Sequence, residues 1–221
     1  MVNAIKKIKN AVPGATVNDV LLAICAGGLR KYMVKHGRLP LKNLVGLAPI
    51  SVRKEDEKGD MGNRISAMLI DLATNEVDPI RRLEAMVLNT KASKVSSKAL
   101  PADQIMEFVP SEVAALAGRA YMQLGLSQLH NPFFNLIVTN VPGPPIPLYM
   151  NGYKLQRIYG LGAAMDGLGL MMIIFSYAGV ISLSATADAN VMENMDLYMS
   201  LLRDSYEDLY DAVEELELEE A

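Results

Sequence analysis

Cysteine and histidine are scarce in this sequence: one cysteine, Cys25, and two histidines, His36 and His130. A single thiol rules out a disulfide framework and any cysteine-rich metal site, and it fits a reducing compartment. Cys25 lies in an apolar helical pattern, which suits a buried thiol better than a nucleophile. His36 stands beside Gly37 at the end of a predicted helix, where an imidazole complements the helix dipole and needs no other role. His130 precedes Asn131-Pro132 in a predicted loop, and neither histidine has a second ligand close in sequence, so no metal site is expected. A Gly-Lys-Ser/Thr phosphate loop, a Gly-x-Ser-x-Gly elbow and a dinucleotide fingerprint are all missing. So is a basic face: the net charge is −4, which argues against a nucleic-acid partner. No apolar stretch of signal-peptide length follows the three lysines of the first ten residues, and a cytoplasmic protein is expected. From residues alone, the chain holds no complete catalytic machine.

The most informative stretch that is present runs from Thr139 to Met150. It follows the apolar run Phe134 to Val138, a predicted buried strand. Pro142, Pro144, Pro145 and Pro147 remove backbone donors, so strand pairing is expected to stop there. Gly143 between two prolines offers the freedom of a sharp turn. A core strand would then deliver Thr139 and Asn140 to a rigid rim suited to a ligand mouth.

At 221 residues the chain has room for one large domain or two small ones, and 51% hydrophobic content supplies a substantial core. Helices are predicted near 3–11, over Asn18–His36, from Asp78-Pro79 to about Ser97, and over 102–129 with a kink at Pro110. The last helix, 193–217, should turn Met195, Tyr198, Leu202, Leu209, Val213 and Leu216 inward and an acidic, solvated face outward. Strands are predicted at 44–52, Arg64–Leu72, 133–140, 153–161, 170–177 and 180–187, with a charged loop from Arg53 to Asp60. The uncharged run Gly167–Ala187 has the turn signal Ala178-Gly179 at its centre, so it reads as a buried hairpin and not a spanning helix. Early strands alternate with helices and late ones cluster as a meander. The expected fold class is α/β, a mixed sheet with helices packed on it.

Several polar residues have both a structural and a ligand-binding reading. Thr16 with Asp19 three residues on makes a capping box, while Asn18 at the same helix start could meet a substrate. Ser51 and Arg53 end a strand as a hydroxyl and a guanidinium, either plain rim chemistry or contacts to an oxyanion and a phosphate. Asn63 and Arg64 open the next strand, as turn residues or ligand contacts. Asp166-Gly167 reads as an ordinary turn. The 14 methionines, Met171-Met172 among them, suit either core filling or the lining of an acyl chain.

Six segments occur in one order: Ala15–Ala23 (Ala-Thr-Val-Asn-Asp-Val-Leu-Leu-Ala), Ala48–Arg53, Gly62–Ser66, Leu100–Asp103, Asn140–Pro145 and Ser176–Gly179. Together they resemble the C-terminal half of the wax ester synthase/diacylglycerol acyltransferase family, within the chloramphenicol-acetyltransferase-like group of CoA-dependent acyltransferases. The resemblance covers nearly the whole chain and implies one domain over 1–221, equivalent to the C-terminal lobe of a two-lobe enzyme with its site in a tunnel between lobes. It implies transfer of a fatty acyl group from acyl-CoA to a fatty alcohol or a diacylglycerol hydroxyl, with no bound cofactor. The base, the second histidine of His-His-x-x-x-Asp-Gly, belongs to an N-terminal lobe on the same or a separate chain. That motif is absent here, so no catalytic residue is assigned and the lone chain is expected to be inactive. Asn18, Asp19, Ser51, Arg53, Asn63, Arg64, Thr139, Asn140 and Gly143 become the substrate or tunnel candidates. Departures from the family pattern are Met171, where asparagine is common, and Ser184, where glycine is. The rival expectation is a non-catalytic subunit that binds acyl chains or CoA, or pairs with a partner. Either reading leaves an apolar face, implying self-association or contact with a membrane or lipid-droplet surface.

Overall fold

The computed structural model describes residues 2–51, 65–99, 134–162 and 168–219. The candidates Arg53, Asn63 and Arg64, the predicted helix 102–129, His130 and Asp166-Gly167 lie outside the described residues.

Helix α1 (Val2–Ala11) buries Ile5 and Ile8, and the chain turns at Gly14 with φ of +77°. Helix α2 (Val17–Lys35) is the hub, buried almost all round from Asp19 to Leu29. Two glycines let it approach the last helix, α4 (Met195–Glu219). A Cβ on Gly27 would lie 2.1 Å from Ser205 Oγ, and one on Gly28 would lie 2.9 Å from Leu202. Ser205 Oγ meanwhile donates to the Ile24 carbonyl at 3.0 Å, so the packing seam carries its own hydrogen bond. Helix α3 (Pro79–Ala99) starts where Asp78 accepts from the Arg81 amide, with proline in the first helical position.

Five strands form one sheet in the order β2-β1-β3-β6-β7. They are β1 (Val45–Ser51), β2 (Ile65–Asp71), β3 (Leu136–Pro142), β6 (Leu170–Tyr177) and β7 (Val180–Ala187). β1, β3 and β6 run parallel, with β2 and β7 antiparallel at the edges. Leu136, Val138, Met172 and Ile174 face the helices and belong to the core. The edge at β2 is covered by α3, whose Asn89 and Ser93 donate to the Asp71 and Leu69 carbonyls. The hairpin β6–β7 turns at Ala178-Gly179, both with positive φ, as a tight two-residue connection requires. None of the described helices is long and apolar enough to cross a membrane.

Two expectations are corrected. Strand 153–161 does not form: only Tyr153–Lys154 (β5) is extended and paired, with Tyr149–Met150 (β4), in a separate two-stranded ribbon. Its turn is Asn151-Gly152, both at positive φ. The rest of that segment lies over the far face of β6, where a Cβ on Gly160 would strike Ile173. The late strands are not a meander, since β3 and β6 are parallel neighbours. Pairing does stop at the prolines: β3 stays in register with β6 as far as Pro142↔Ser176 and ends there.

The structural readings of Cys25 and His36 hold. Cys25 is fully buried and its thiol is pushed up to about 12 by desolvation. His36 caps α2, stacks on Tyr32 and places Nδ1 2.8 Å from the Tyr32 carbonyl oxygen. Met172 is core, with the Tyr198 hydroxyl 3.3 Å from its sulfur. Ser184 Oγ is buried without a hydrogen-bond partner.

Candidate functional site

The start of α2 and the end of β3 meet. Thr16 caps α2: its Oγ1 accepts from the Asp19 amide, while Asp19 Oδ2 accepts from the Thr16 amide at 2.8 Å and from Thr16 Oγ1 at 2.7 Å. Asp19 Oδ1 takes a further bond from Thr90 Oγ1 of α3 at 2.7 Å. The carboxylate is 2% exposed and points into the helix layer, so its bonding capacity goes to the cap and to α3. Asn18, one residue earlier, points the other way. Its Oδ1 accepts from Asn140 Nδ2 at 3.2 Å across 122 residues of sequence.

The sheet opens beside this pair. Leu72 donates to the Leu44 carbonyl, and the antiparallel alternation then turns Gly46 and Ala48 toward β2 and Val45, Leu47 and Pro49 toward β3. The Asn135 amide donates to Val45 O at 2.8 Å, as that alternation demands. Pro49 has no N–H to offer β3. The parallel ladder duly ends at Leu47↔Ile137, while β1 continues along β2 to Ser51 and β3 continues along β6. A wedge therefore separates the two strands at their carboxyl ends, the usual position of a ligand crevice in an α/β sheet. By the same alternation, and because the Gly143 amide donates to Ser176 O, Thr139 and Val141 bond toward β6, so the backbone N–H and C=O of Asn140 point into the wedge without a strand partner there.

The rim is rigid for a reason other than turn freedom. Gly143 is not among the residues of positive φ. It is needed because a Cβ there would lie 2.3 Å from the Ser176 carbonyl oxygen and 2.5 Å from the Phe175 ring. Its amide donates to that carbonyl at 2.8 Å, and the Ala178 amide donates to Pro144 O. Tyr177 clamps the following arm, donating to Leu155 O and accepting from the Leu148 amide at 2.7 Å.

Among the sequence candidates, the structure thus joins Asn18 and Asn140 at one wedge. The Thr139 side chain itself shares the opposite sheet face with Ile137 and Ile173. Ser51 ends β1 on the other wall of the wedge. Asp19 and Gly143 support the site from behind. Pro49 as the residue that ends the ladder and Tyr177 as the clamp were missed; a proline late in a strand was the signal for the first. Among the described residues no group of three or more His, Cys, Asp or Glu is placed to hold a metal. The wedge offers amide donors and acceptors, which bind and orient, and Asp19, the nearby carboxylate, is turned away from it.

A mixed parallel sheet with helices on one face and a crevice between splayed strands defines one lobe of a chloramphenicol-acetyltransferase-like fold. The epimerization domain of tyrocidine synthetase B shares it at a TM-score of 0.60 over 96% of this chain, with 10% identity. The wax ester synthase/diacylglycerol acyltransferase of Marinobacter aquaeolei VT8 shares it more closely, at a TM-score of 0.72 and 25% identity, covering 96% of this chain and 47% of that one. Residues 61–210 match the WS/DGAT C-terminal domain, and the chain belongs to that family. The O-acyltransferase WSD of Acinetobacter baylyi is 35% identical over 190 residues, 86% of this chain and 40% of the relative. A putative diacylglycerol O-acyltransferase of Mycobacterium tuberculosis is 33% identical over 211 residues, 95% of this chain and 46% of the relative. The chain therefore spans less than half the length of these curated relatives.

Proposed function

We propose that this domain forms one wall of an O-acyltransferase site that moves a fatty acyl group from acyl-CoA to a fatty alcohol or diacylglycerol hydroxyl. The observation that carries the reading is the wedge itself: bonding groups converge on it from α2 and β3, and the nearby carboxylate faces away. Such a wall positions substrate and stabilises charge but leaves proton removal to another lobe, the one with His-His-x-x-x-Asp-Gly. There the acceptor oxygen loses its proton to the base and attacks the thioester carbonyl carbon. The carbon–sulfur bond breaks, the CoA sulfur regains a proton, and a wax ester or triacylglycerol leaves. The Asn140 backbone amide is suited to the tetrahedral oxyanion, where one lost donor typically costs about 10²–10³ in rate. Asn18 and Asn140 orient the reacting ends. The arm beyond the rim exposes Ile146, Leu148, Tyr149 and Met150, which supports an apolar docking surface for the N-terminal lobe or a lipid surface.

The test is ester formation from labelled acyl-CoA by the chain alone and after mixing with an N-terminal lobe. Activity only in the mixture supports the proposal. Binding of the lobe without turnover favours the non-catalytic reading, and robust turnover by the lone chain defeats the composite site.

A further inference from the structure

A second cavity lies away from the wedge, beside the open edge of β7. It has a volume of about 480 Å³ and is walled by Ile24 of α2, Ile181 and Leu183 of β7, and Met199 and Leu202 of α4. It shares no residue with the Asn18–Asn140 contact, and two strand spacings, roughly 10 Å, separate β7 from β3. Its volume is within the usual range for small-molecule sites, about 300–1,000 Å³.

The charge at this cavity is one-sided. The charged residues that line it are Arg157, from the arm, and Arg203, from α4. In a protein with 25 acidic and 21 basic residues, no carboxylate among the described residues lines it. Among the described residues, neither arginine meets a carboxylate within 4.0 Å. Arg157 does donate to the Tyr159 hydroxyl, and Tyr206 lines the cavity from the α4 side. Two guanidinium groups from separate elements thus stand at the rim of an apolar groove. Guanidinium matches carboxylate geometry in paired hydrogen bonds, and the groove offers the alkyl chain a place out of water.

We propose that this cavity binds a single-chain fatty carboxylate, with the alkyl chain against Ile24, Leu183 and Leu202 and the head between Arg157 and Arg203. The site does not depend on the acyl-transfer reading, because it is assayed by binding without turnover. Palmitate below its micellar concentration would be titrated against the 221-residue chain by displacement of cis-parinaric acid. Palmitate should bind with one-to-one stoichiometry. Hexadecanol, which lacks the charge, and coenzyme A, which lacks the chain, should each compete poorly. The double variant Arg157→Met/Arg203→Met should weaken palmitate by about tenfold or more, the effect of losing a charge-assisted contact. Both side chains are exposed, so melting should be unchanged. Met199→Trp, which fills the groove at a partly exposed position, should weaken palmitate and hexadecanol alike. Equal affinity for palmitate and hexadecanol, competition by coenzyme A alone, or unchanged palmitate binding in the folded variants would each overturn the site.

Discussion

Replacing Gly143 by alanine should destabilise the domain by about 2–4 kcal/mol, and the figure follows from two contacts. The new methyl would stand 2.3 Å from the Ser176 carbonyl oxygen and 2.5 Å from the Phe175 ring. The ring can turn, but the carbonyl cannot, because Ser176 is paired on both sides in β6, to Pro142 and to Ile181. The rim must therefore move instead. Moving it gives up the 2.8 Å hydrogen bond from the Gly143 amide, a net loss of about 1 kcal/mol. The residual overpacking adds about 1–3 kcal/mol. Urea unfolding followed by circular dichroism measures this directly. With a slope of about 2 kcal/mol per molar urea for a small domain, the midpoint should fall by about 1–2 M. A shift below about 0.2 M at unchanged slope would refute the argument that β6 backbone, and not turn freedom, dictates glycine here.

Other predictions concern the cap, the wedge and the buried acids. Asp19→Ala should cost about 2–4 kcal/mol, combining the lost cap with a Thr90 hydroxyl left without its partner. A double-mutant cycle with Thr90→Val should show coupling above about 0.5 kcal/mol, and additivity would deny the Asp19–Thr90 bond. Asn140→Ala, at an exposed position, should change stability by less than about 0.5 kcal/mol yet lower kcat/KM of the two-lobe enzyme by about tenfold. Unchanged kcat/KM would remove Asn140 from the site. The domain should also lose stability in alkali. Burial raises the Cys25 thiol to about 12 from an ordinary value near 9, and burial likewise holds the Tyr198 phenol well above its usual range. The unfolded chain ionises first, so the contribution is complete below about pH 9 and is lost as pH climbs toward 12. Urea midpoints on either side of pH 9 check the sign, and a rising midpoint would contradict it.

Local signals in the sequence were good guides to local structure and poor guides to what meets what. Apolar spacing marked α1, α2 and α4, Thr16-Asp19 marked a cap, and Ala178-Gly179 marked the β6–β7 turn, because each depends on neighbours a few residues apart. The strand expected at 153–161 failed for the opposite reason. Its alternation Tyr153-Lys-Leu-Gln-Arg-Ile is strand-like, but a strand needs a partner, and β6 already has one on each side. Asn151-Gly152, a strong hairpin signal, is where that segment does pair. The Asn18–Asn140 contact links positions 122 residues apart, and no spacing rule reaches that far. Asp19 shows the limit most clearly. Motif position grouped it with Asn18, yet adjacent residues at a helix start point to different neighbours, and only the packed α3 reveals which one it faces.

The most direct test of the account is single-turnover ester formation from labelled acyl-CoA and a long-chain alcohol, with this chain alone and with an added N-terminal lobe. The account predicts no ester above the uncatalysed background from the lone chain. It predicts ester from the mixture, lost when the lobe's second histidine is replaced by alanine. Ester formed by the 221 residues unaided would contradict the claim that the wedge at Asn18 and Asn140 is one wall of a site whose base lies elsewhere.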